Sequence, residues 1–340
     1  MEPVSYSIPT SAEQAVSEFM SEAGACYVAG GTTLFDLMKL RVERPSKLID
    51  LTRIGHDAIA TMGDELRIGA NAKMSEVAAN PTIASDYPVL SESLLKGASQ
   101  QLRNMATVGA NLLQRTRCSY FRHGAGAIAA AGAVYPCNKR DPGSGCAAIG
   151  GLDRTQAILG VSSACTAVSP GDWPVALTAL DARINILGPN GQRSLPISDL
   201  YRLPGDTPHL EFGLQRGELI TEIVIPKTDA GRRSTYHKAR DRESFAFALA
   251  SAAVALQFDS RRRVERAHVA LGGVATRPWR VPKTEQFLIG KTLRYETALG
   301  AAWHAFVDAQ PGRHNGFKVE LGIRTLADAL MIASERMRTV

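Results

Sequence analysis

Residues 25–34 read Ala-Cys-Tyr-Val-Ala-Gly-Gly-Thr-Thr-Leu, a short apolar run that meets two glycines before a second apolar segment. This pattern predicts a buried strand, a tight turn and the first residue of a helix. Because glycine carries no Cβ, its backbone can approach an anion closely, and N–H groups at the start of a helix attract negative charge. The stretch is neither G-x-G-x-x-G nor the lysine-containing P-loop, so standard dinucleotide and mononucleotide-kinase folds lose support. Taken alone, a glycine turn without a ligand is the simpler interpretation.

The residues on both sides of this turn complete a small unit of alternating strands and helices. Ser11 and Gln14 fit a capping box, which predicts a helix with an apolar face that Gly24 ends. A second helix begins near Leu34, and residues 47–51 read as a further strand. The first 51 residues therefore predict a β-α-β-α-β unit with the glycine turn between a strand and a helix.

A second α/β region is predicted from Glu65 to about Pro226. Its residues 107–111, Thr-Val-Gly-Ala-Asn, read as another strand-to-turn junction with a glycine, about 75 residues after the first turn. Two such turns, flanked by hydroxyl and amide side chains, point to a diphosphate held between two subdomains. The Asn190-Gly191 pair predicts a hairpin of type I′, a turn that needs positive φ at both central residues.

A third region follows a polar connector around Gly231, where we place the main domain boundary. Beyond it the pattern again alternates between strands and helices. The predicted elements are a strand at 235–240, a buried helix from Phe245, a strand at 266–272, and helices around Trp303 and over 325–337.

Four of the five cysteines fall within 48 residues, at Cys118, Cys137, Cys146 and Cys165. Their separations of 18, 8 and 18 residues lack the tight Cys-x2–4-Cys pairs of structural zinc sites. Wide spacing suits a [4Fe-4S] cubane, in which each thiolate binds a different iron. The basic and glycine-rich residues 138–145 offer positive charge and free N–H groups to an anionic cluster. From spacing alone, zinc and four free buried thiols stay open as alternatives.

The composition excludes several classes of protein. With 340 residues, 45% apolar and 21% charged, the chain has the balance of a soluble globular protein of two or three domains. The net charge of +6 is spread without a long basic run, so no nucleic-acid surface is expected. The longest apolar stretch, 245–258, is too short to span a membrane. The first residues lack a secretory signal, so we expect a cytoplasmic chain, or a periplasmic one exported with a partner subunit.

The two turns, together with the C-terminal Gly272-Gly273-Val274-Ala275, resemble the flavin subunits of molybdenum hydroxylases, the xanthine dehydrogenase family. The segments 111–118, 136–140 and 143–146 are similar to one branch of that family, the flavin subunit of bacterial periplasmic aldehyde oxidoreductase. This branch carries an additional [4Fe-4S] cluster. The resemblance extends from Tyr6 to about Ala333.

The resemblance implies an α+β protein with a PCMH-type FAD-binding fold of two α/β subdomains. That fold would occupy residues 1–226, with subdomains of about 1–53 and 54–226 and an iron–sulfur loop of about 112–171. A C-terminal α+β domain of the CO dehydrogenase flavoprotein type would follow at 232–337.

The resemblance also implies which residues bind the cofactors, and it places no catalytic residue on this chain. The pyrophosphate of FAD would lie between the two turns, formed by Val28, Ala29, Gly30, Gly31, Thr32, Thr33 and Leu34 and by Thr107, Gly109, Ala110 and Asn111. Asp172 corresponds to an acidic position near the flavin. Ile220 and Lys238 correspond to positions that line the isoalloxazine and its N1–C2 carbonyl edge, where a cation stabilises the anionic reduced flavin. The cluster would be held by Cys118, Cys137, Cys146 and Cys165.

Three departures from the family pattern stand out in the sequence. Thr33 occupies a position where the family often has Asp, and Ala110 one where it usually has a second glycine. The alanine- and glycine-rich stretch 124–134 lengthens the first cysteine separation, and we expect it to be mobile.

The function implied is that of an electron-transfer subunit in a molybdenum-dependent aldehyde oxidoreductase. Electrons would arrive from a small [2Fe-2S] subunit, reach FAD here and leave for an external acceptor, while a large molybdopterin subunit oxidises the aldehyde. An alternative is the flavin subunit of a 4-hydroxybenzoyl-CoA reductase type or xanthine dehydrogenase type enzyme. An alternative from another class is a zinc-stabilised binding module without flavin.

Overall fold

The first unit of the chain is a small parallel sheet with two helices. The computed structural model describes residues 2–123 and 134–336. The sheet has the order β1-β3-β2, and the elements are β1 (Ser5–Ser7), α1 (Ala12–Ser21), β2 (Ala25–Val28), α2 (Leu34–Lys39) and β3 (Lys47–Asp50). Both pairings in it are parallel. The predicted β-α-β-α-β unit is therefore confirmed.

Half of the predicted capping box forms at the start of α1. The Ser11 Oγ accepts a hydrogen bond from the Gln14 backbone N–H at 3.1 Å. The Gln14 Oε1 accepts from the Thr10 backbone N–H at 3.0 Å, one residue earlier than the box requires. The Ser11 side chain thus satisfies one N–H group that the helix leaves free, whereas the Gln14 side chain binds a residue that precedes the helix.

The second unit is a five-stranded antiparallel sheet flanked by short helices. Its strand order is β4-β5-β8-β6-β7. The strands are β4 (Ile59–Met62), β5 (Glu65–Gly69), β6 (Arg183–Gly188), β7 (Gly191–Pro196) and β8 (Leu219–Pro226). The helices are α3 (Met74–Ala79), α4 (Pro81–Asp86), α5 (Pro88–Leu95), α6 (Gln100–Met105), α7 (Val108–Leu112), α8 (Ser119–Arg122), α9 (Trp173–Ala179) and α10 (Ile197–Leu200).

Two local predictions in this unit are wrong. Residues 106–107 connect α6 to α7, so the second turn lies between two helices rather than after a strand. Its extended backbone comes from a single bridge between Lys73 and Thr107. The hairpin forms, but Gly188 pairs with Gly191, so the two loop residues are Pro189 and Asn190. Neither of them has a positive φ, and the turn is therefore not of type I′.

The third unit is a four-stranded antiparallel sheet covered by helices. The strand order is β12-β11-β10-β9, and the elements are β9 (Ser234–Ala239), β10 (Ala250–Phe258), β11 (Val264–Gly272), β12 (Trp279–Arg280), α11 (Pro282–Leu288), α12 (Tyr295–His304) and α13 (Phe317–Glu335). The helix predicted from Phe245 is wrong, because that apolar run is strand β10. Both faces of β10 are buried, so its sequence has no alternation that would distinguish it from a buried helix.

Strand β10 contributes to two hydrophobic cores. Ala253 and Ala255 belong to the core of the second unit, together with Ile223 and Ile225 of β8. Residues of opposite parity, such as Val254, pack with α13 in the core of the third unit. The second and third units therefore share a strand as a common wall.

The parts of the chain outside the described residues include two features of the sequence. The alanine- and glycine-rich stretch lies there except for Val134, so our expectation that it is mobile stays a prediction. The end of the last predicted helix, at Met337, lies there too. Within residues 2–123 and 134–336, no helix combines the length and the apolar character needed to cross a lipid bilayer.

Candidate functional site

The two glycine turns face each other across one cavity of about 360 Å³, which we call the glycine-turn cavity. It lies where β2, α2 and α7 approach the end of β8. All of the residues predicted for the two turns line it: Val28, Ala29, Gly30, Gly31, Thr32, Thr33, Leu34, Thr107, Gly109, Ala110 and Asn111. Ile220 of β8 lines it as well. The structure thus brings the two halves of the predicted pyrophosphate site together.

Gly30 allows the two turns to pack against each other. A Cβ on Gly30 would lie 2.2 Å from the carbonyl oxygen of Met105, which precedes the second turn. Gly31 has φ +68°, a left-handed conformation that favours glycine. Gly30 is therefore needed for the contact between the turns, a role that the sequence did not indicate.

The polar groups of the glycine-turn cavity fit a phosphate-containing ligand. The Thr107 Oγ1 is buried and has no hydrogen-bond partner among the described residues, although it lies on the cavity wall. A buried hydroxyl is normally paired, so this atom has unused capacity to donate to a phosphate oxygen. Arg115 also lines the cavity, but its guanidinium is already paired with Glu43 and Glu211.

A second cavity, of about 740 Å³, adjoins the first, and we call it the ion-pair cavity. The two cavities share Thr32, Thr33, Ala106 and Asn111. Asp172 and Lys238, the other two residues predicted near the flavin, line the second cavity together with Trp173. The two spaces meet at residues of the glycine turns, which suits a dinucleotide whose pyrophosphate lies at the junction.

Asp172 and Lys238 form a buried ion pair. The Lys238 Nζ lies 2.8 Å from the Asp172 Oδ2 and donates a further hydrogen bond to the Lys96 carbonyl oxygen at 2.9 Å. The Tyr236 hydroxyl donates to the Asp172 Oδ1 at 2.5 Å. Burial raises the pKa of Asp172, although the Lys238 ammonium and the Tyr236 hydroxyl act in the opposite direction. Burial, with Asp172 close by, holds the pKa of Tyr236 well above its ordinary value, so this hydroxyl stays protonated.

Ile220 and Lys238 do not line the same cavity. The resemblance placed both around the isoalloxazine, but Ile220 lies beside the glycine turns and Lys238 lies in the ion-pair cavity. Trp173 was not singled out in the sequence, although it directly follows Asp172. Its indole N–H is buried, and no described residue accepts a hydrogen bond from it.

The four clustered cysteines line a third, small cavity of about 10 Å³, which we call the cysteine cavity. Cys118, Cys137 and Cys165 are buried, and Cys146 is half-buried. Cys137 and Cys146 are paired through a backbone bridge. The structure thus joins residues that are up to 47 positions apart in the sequence, and Cys118 is with the others despite the long first separation.

The spacing of these thiols differs from that of a mononuclear metal site. Among the residues that the structure describes, no group of three or more His, Cys, Asp or Glu side chains is close enough to hold one metal ion. Zinc needs four ligands within about 2.3 Å of one point, whereas the corners of a cubane are farther apart. Burial raises the pKa of the Cys165 thiol to about 11 and raises the pKa of Cys118 as well. Both thiols are therefore protonated at neutral pH when no cation is bound to them.

The cysteine cavity lies near the ion-pair cavity. A further cavity of about 260 Å³ is lined by Cys118, Gln156 and Lys318 and also by Asp172. Gln156 and Lys318 are buried polar residues that no sequence motif singled out. Neither residue belongs to a local sequence pattern. They could be identified only once it was known which distant segments of the chain meet.

Comparison with known proteins gives matches over nearly the whole chain. The family model described as the FAD binding domain in molybdopterin dehydrogenase matches residues 2–228. The model of the CO dehydrogenase flavoprotein C-terminal domain matches residues 234–331.

Two curated relatives illustrate the range of similarity. The aldehyde oxidoreductase FAD-binding subunit PaoB of Escherichia coli is 45% identical over 326 residues, which is 95% of each chain. The glyceraldehyde dehydrogenase medium chain of Sulfolobus acidocaldarius is 28% identical over 267 residues, 78% of this chain and 74% of the relative.

Solved structures share the fold at lower identity. A chain of carbon monoxide dehydrogenase from Hydrogenophaga pseudoflava superposes with a TM-score of 0.74 at 24% identity, over 99% of both chains. A chain of quinoline 2-oxidoreductase from Pseudomonas putida 86 also reaches a TM-score of 0.74, at 22% identity over 98% of both chains. The mixed α+β architecture is therefore that of known structures along its full length.

Proposed function

This chain belongs to the FAD-binding flavoproteins of the molybdopterin dehydrogenases, and on that premise we propose that it is the electron-transfer subunit of a molybdenum-dependent aldehyde oxidoreductase. The observation that carries the proposal is the 45% identity, over 95% of both chains, to an aldehyde oxidoreductase FAD-binding subunit. A zinc-stabilised module without flavin, the alternative from another class, loses its support because an FAD-binding family model covers residues 2–228.

The residues of the two adjoining cavities suit FAD. Backbone groups of the two turns and the free Thr107 hydroxyl would hold the pyrophosphate. Lys238 and Asp172 would lie toward the isoalloxazine, where a lysine favours the anionic reduced form. Bound FAD accepts two electrons and releases them singly or together, which suits a carrier between one-electron and two-electron partners.

We propose that the four cysteines of the cysteine cavity hold a [4Fe-4S] cluster. Two features support this: the common cavity, which all four cysteines line, and N–H donors at two of the sulfurs. The Ala167 backbone N–H donates to the Cys165 Sγ at 3.5 Å, and the Gln156 side chain donates to the Cys118 Sγ at the same distance. Such donors stabilise charged ligand sulfurs.

The proposed partners are a large molybdopterin subunit and a small [2Fe-2S] subunit. Electrons would pass from the small subunit to FAD and then to an external acceptor. Several relatives are named as medium chains or as subunits of dehydrogenase complexes, which supports an assembly of this kind. We also propose the division into an FAD-binding domain at 1–226 and a C-terminal domain at 232–337, which the family matches at 2–228 and 234–331 support.

The test is a cofactor analysis of the full chain purified with its partner subunits under anaerobic conditions. We expect one FAD, and about four iron and four acid-labile sulfide, per copy of this chain after the iron of the small subunit is subtracted. The complex should reduce a dye when an aldehyde is added. One zinc and no sulfide on this chain would overturn the cluster, and turnover of a purine or an aromatic acyl-CoA without aldehyde oxidation would overturn the substrate class.

A further inference from the structure

Gln156 is a buried amide next to one of the cluster cysteines. Its side chain is 1% exposed, and its Nε2 donates to the Cys118 Sγ at 3.5 Å. Its Oε1 is buried and has no hydrogen-bond partner in the described part of the chain. A buried amide with an unpaired oxygen costs stability, so the folding of the chain alone does not explain glutamine at this position.

The backbone around Gln156 is held by residues of the third unit. The Asn315 Nδ2 donates to the carbonyl oxygens of Gln156 and Ala157, both at 3.3 Å. The Lys318 Nζ lies 3.5 Å from the carbonyl oxygen of Thr155 and donates to that of Gly273 at 2.7 Å. These contacts fix the segment from which the amide reaches the sulfur.

The charge on the sulfur decides which end of the amide should face Cys118. If Cys118 were a neutral thiol, the amide oxygen could accept a hydrogen bond from its S–H group. An orientation with the amide N–H toward the sulfur would then not be favoured over the reverse. Facing a thiolate, the carbonyl oxygen would be repelled, whereas the N–H donates a charge-assisted hydrogen bond. The arrangement in the structure, with Nε2 toward the sulfur and Oε1 unpaired, fits a Cys118 sulfur that carries negative charge as a metal ligand.

We infer that Gln156 is a positioning residue that sets the reduction potential of the cluster through its hydrogen bond to the Cys118 sulfur. This inference rests on the proposed [4Fe-4S] site. Reduction adds one negative charge to the cluster, part of which resides on the ligand sulfurs. An N–H donor stabilises that charge and therefore favours the reduced state. Among the described residues, Gln156 is the only side chain that donates to one of the four cysteine sulfurs.

The test is Gln156→Met in the full chain, followed by a potentiometric titration monitored by EPR of the reduced cluster. Methionine keeps the length and apolar stem of glutamine but has no N–H donor. We expect unchanged iron and sulfide content and about a tenfold lower ratio of reduced to oxidised cluster at the wild-type midpoint, which is a midpoint about 59 mV lower for a one-electron couple. A variant that keeps its iron and its midpoint would overturn the inference.

Gln257→Met is the matched control. The Gln257 side chain donates to Glu265 on the neighbouring strand and does not line the cysteine cavity. The same chemical change there should leave the cluster midpoint at its wild-type value. If Gln257→Met lowered the midpoint as much as Gln156→Met, the effect would be a general loss of stability, and the assignment to Gln156 would fall.

A second measurement needs no variant and covers the case in which Gln156→Met loses its iron. With side-chain ¹⁵N-labelled glutamine in the wild-type chain, pulsed EPR of the reduced cluster should show a ¹⁵N coupling. Its absence would overturn the inference even though the cluster is present. A wild-type chain without iron or sulfide would instead overturn the proposed cluster, and the two failures are therefore distinguishable.

Discussion

The glycine-turn cavity and the cysteine cavity are built in different ways. The walls of the first come from regular elements, namely β2, α2, α7 and the end of β8. The second is enclosed by α8 and by residues 134–172, a described segment without a helix or a strand longer than a single bridge. There, side chains bind backbone carbonyl oxygens in place of a strand ladder. The Asn138 Nδ2 donates to the carbonyl oxygen of Ala164 at 3.0 Å. The Arg140 guanidinium donates to the carbonyl oxygens of Tyr120 and Phe121 at 2.7 and 2.8 Å.

This difference indicates how each region depends on its cofactor. A wall of helices and strands is stabilised by packing that exists without a ligand, so the glycine-turn cavity should persist when FAD is absent. The irregular segment that brings the four thiols together has no helix or strand ladder to hold it, so binding of the proposed cluster would be coupled to its folding.

The largest effect is expected when one cysteine is changed in each region. Cys146→Ser should lose most of the iron and lower the yield of soluble chain several-fold, because the segment would have three ligands for four irons. Cys26 lies in β2 on the wall of the glycine-turn cavity, and Cys26→Ser should keep both iron and yield. Iron analysis and soluble yield after parallel purification measure both. Equal yields and equal iron in the two variants would remove the contrast.

The next largest effect concerns the buried ion pair. Lys238→Met leaves Asp172 buried without its cation, which should lower the free energy of unfolding by about 3–5 kcal/mol in chemical denaturation. The double variant Lys238→Met/Asp172→Asn should recover most of that loss, because no charge is then left unpaired.

The same two variants separate stability from flavin chemistry. If Lys238 stabilises the anionic reduced flavin, its loss should lower the flavin midpoint potential in both the single and the double variant. Spectroelectrochemical titration of the flavin bands measures this. A double variant that recovers the wild-type potential together with the stability would show that Lys238 acts on the fold alone.

A smaller effect is expected at the contact between the turns. In Gly30→Ala the new Cβ would lie 2.2 Å from the Met105 carbonyl oxygen, so the turns must separate. We expect FAD affinity to fall at least about tenfold, or ~1.4 kcal/mol, while iron content is retained. Gly316→Ala is the control, because a Cβ at Gly316 meets no atom within 4 Å. Fluorescence titration of the apoprotein with FAD measures the affinity, and identical affinities in the two variants would contradict the role of Gly30.

The last effect is spread over a range of pH, and it originates at Lys318. Burial lowers the pKa of Lys318 from 10.5 to about 8, with the nearby Arg154 charge acting in the same direction. The unfolded chain therefore binds more protons than the folded chain between about pH 8 and 10.5, and stability from this group rises with pH in that window, by up to about 1.4 kcal/mol per pH unit. In Lys318→Met this rise should be absent. Denaturation curves of both proteins at pH 7, 8.5 and 10 test it, and parallel curves would contradict it.

The sequence predicted the elements whose patterns are local. The parallel unit around the first glycine turn, the strand β8 and the hairpin at Asn190-Gly191 all follow from residues within a few positions of each other. The strand β10 could not be predicted, because an alanine-rich run buried on both faces has neither a helical nor a strand period. Residues 106–107 have the extended backbone of the predicted strand end, but Thr107 bridges only a single residue, Lys73, so no strand forms.

For the candidate site, motifs in the sequence predicted the residues, but they did not predict which cavity each residue lines. Every residue predicted to bind the pyrophosphate lines one cavity, and the four cysteines share another. That Ile220 and Lys238 line different cavities depends on how β8 and β9 approach the turns, which no local pattern records. Gln156 and Trp173 belong to no motif. Each stands out only in the folded chain, because a polar atom of its side chain is buried without a hydrogen-bond partner among the described residues.

Strand β10 has a consequence for how such a chain can be inherited. Since alternate residues of the strand face two different cores, Ala253 and Ala255 toward one and Val254 toward the other, neither unit could be replaced by a homologous piece without repacking the wall it shares with its neighbour. Recombination between relatives at the connector around Gly231 would therefore yield chimeras with mismatched side chains on one face of this strand. We therefore expect the second and third units to be inherited together, although the polar connector between them would be an accessible site for recombination.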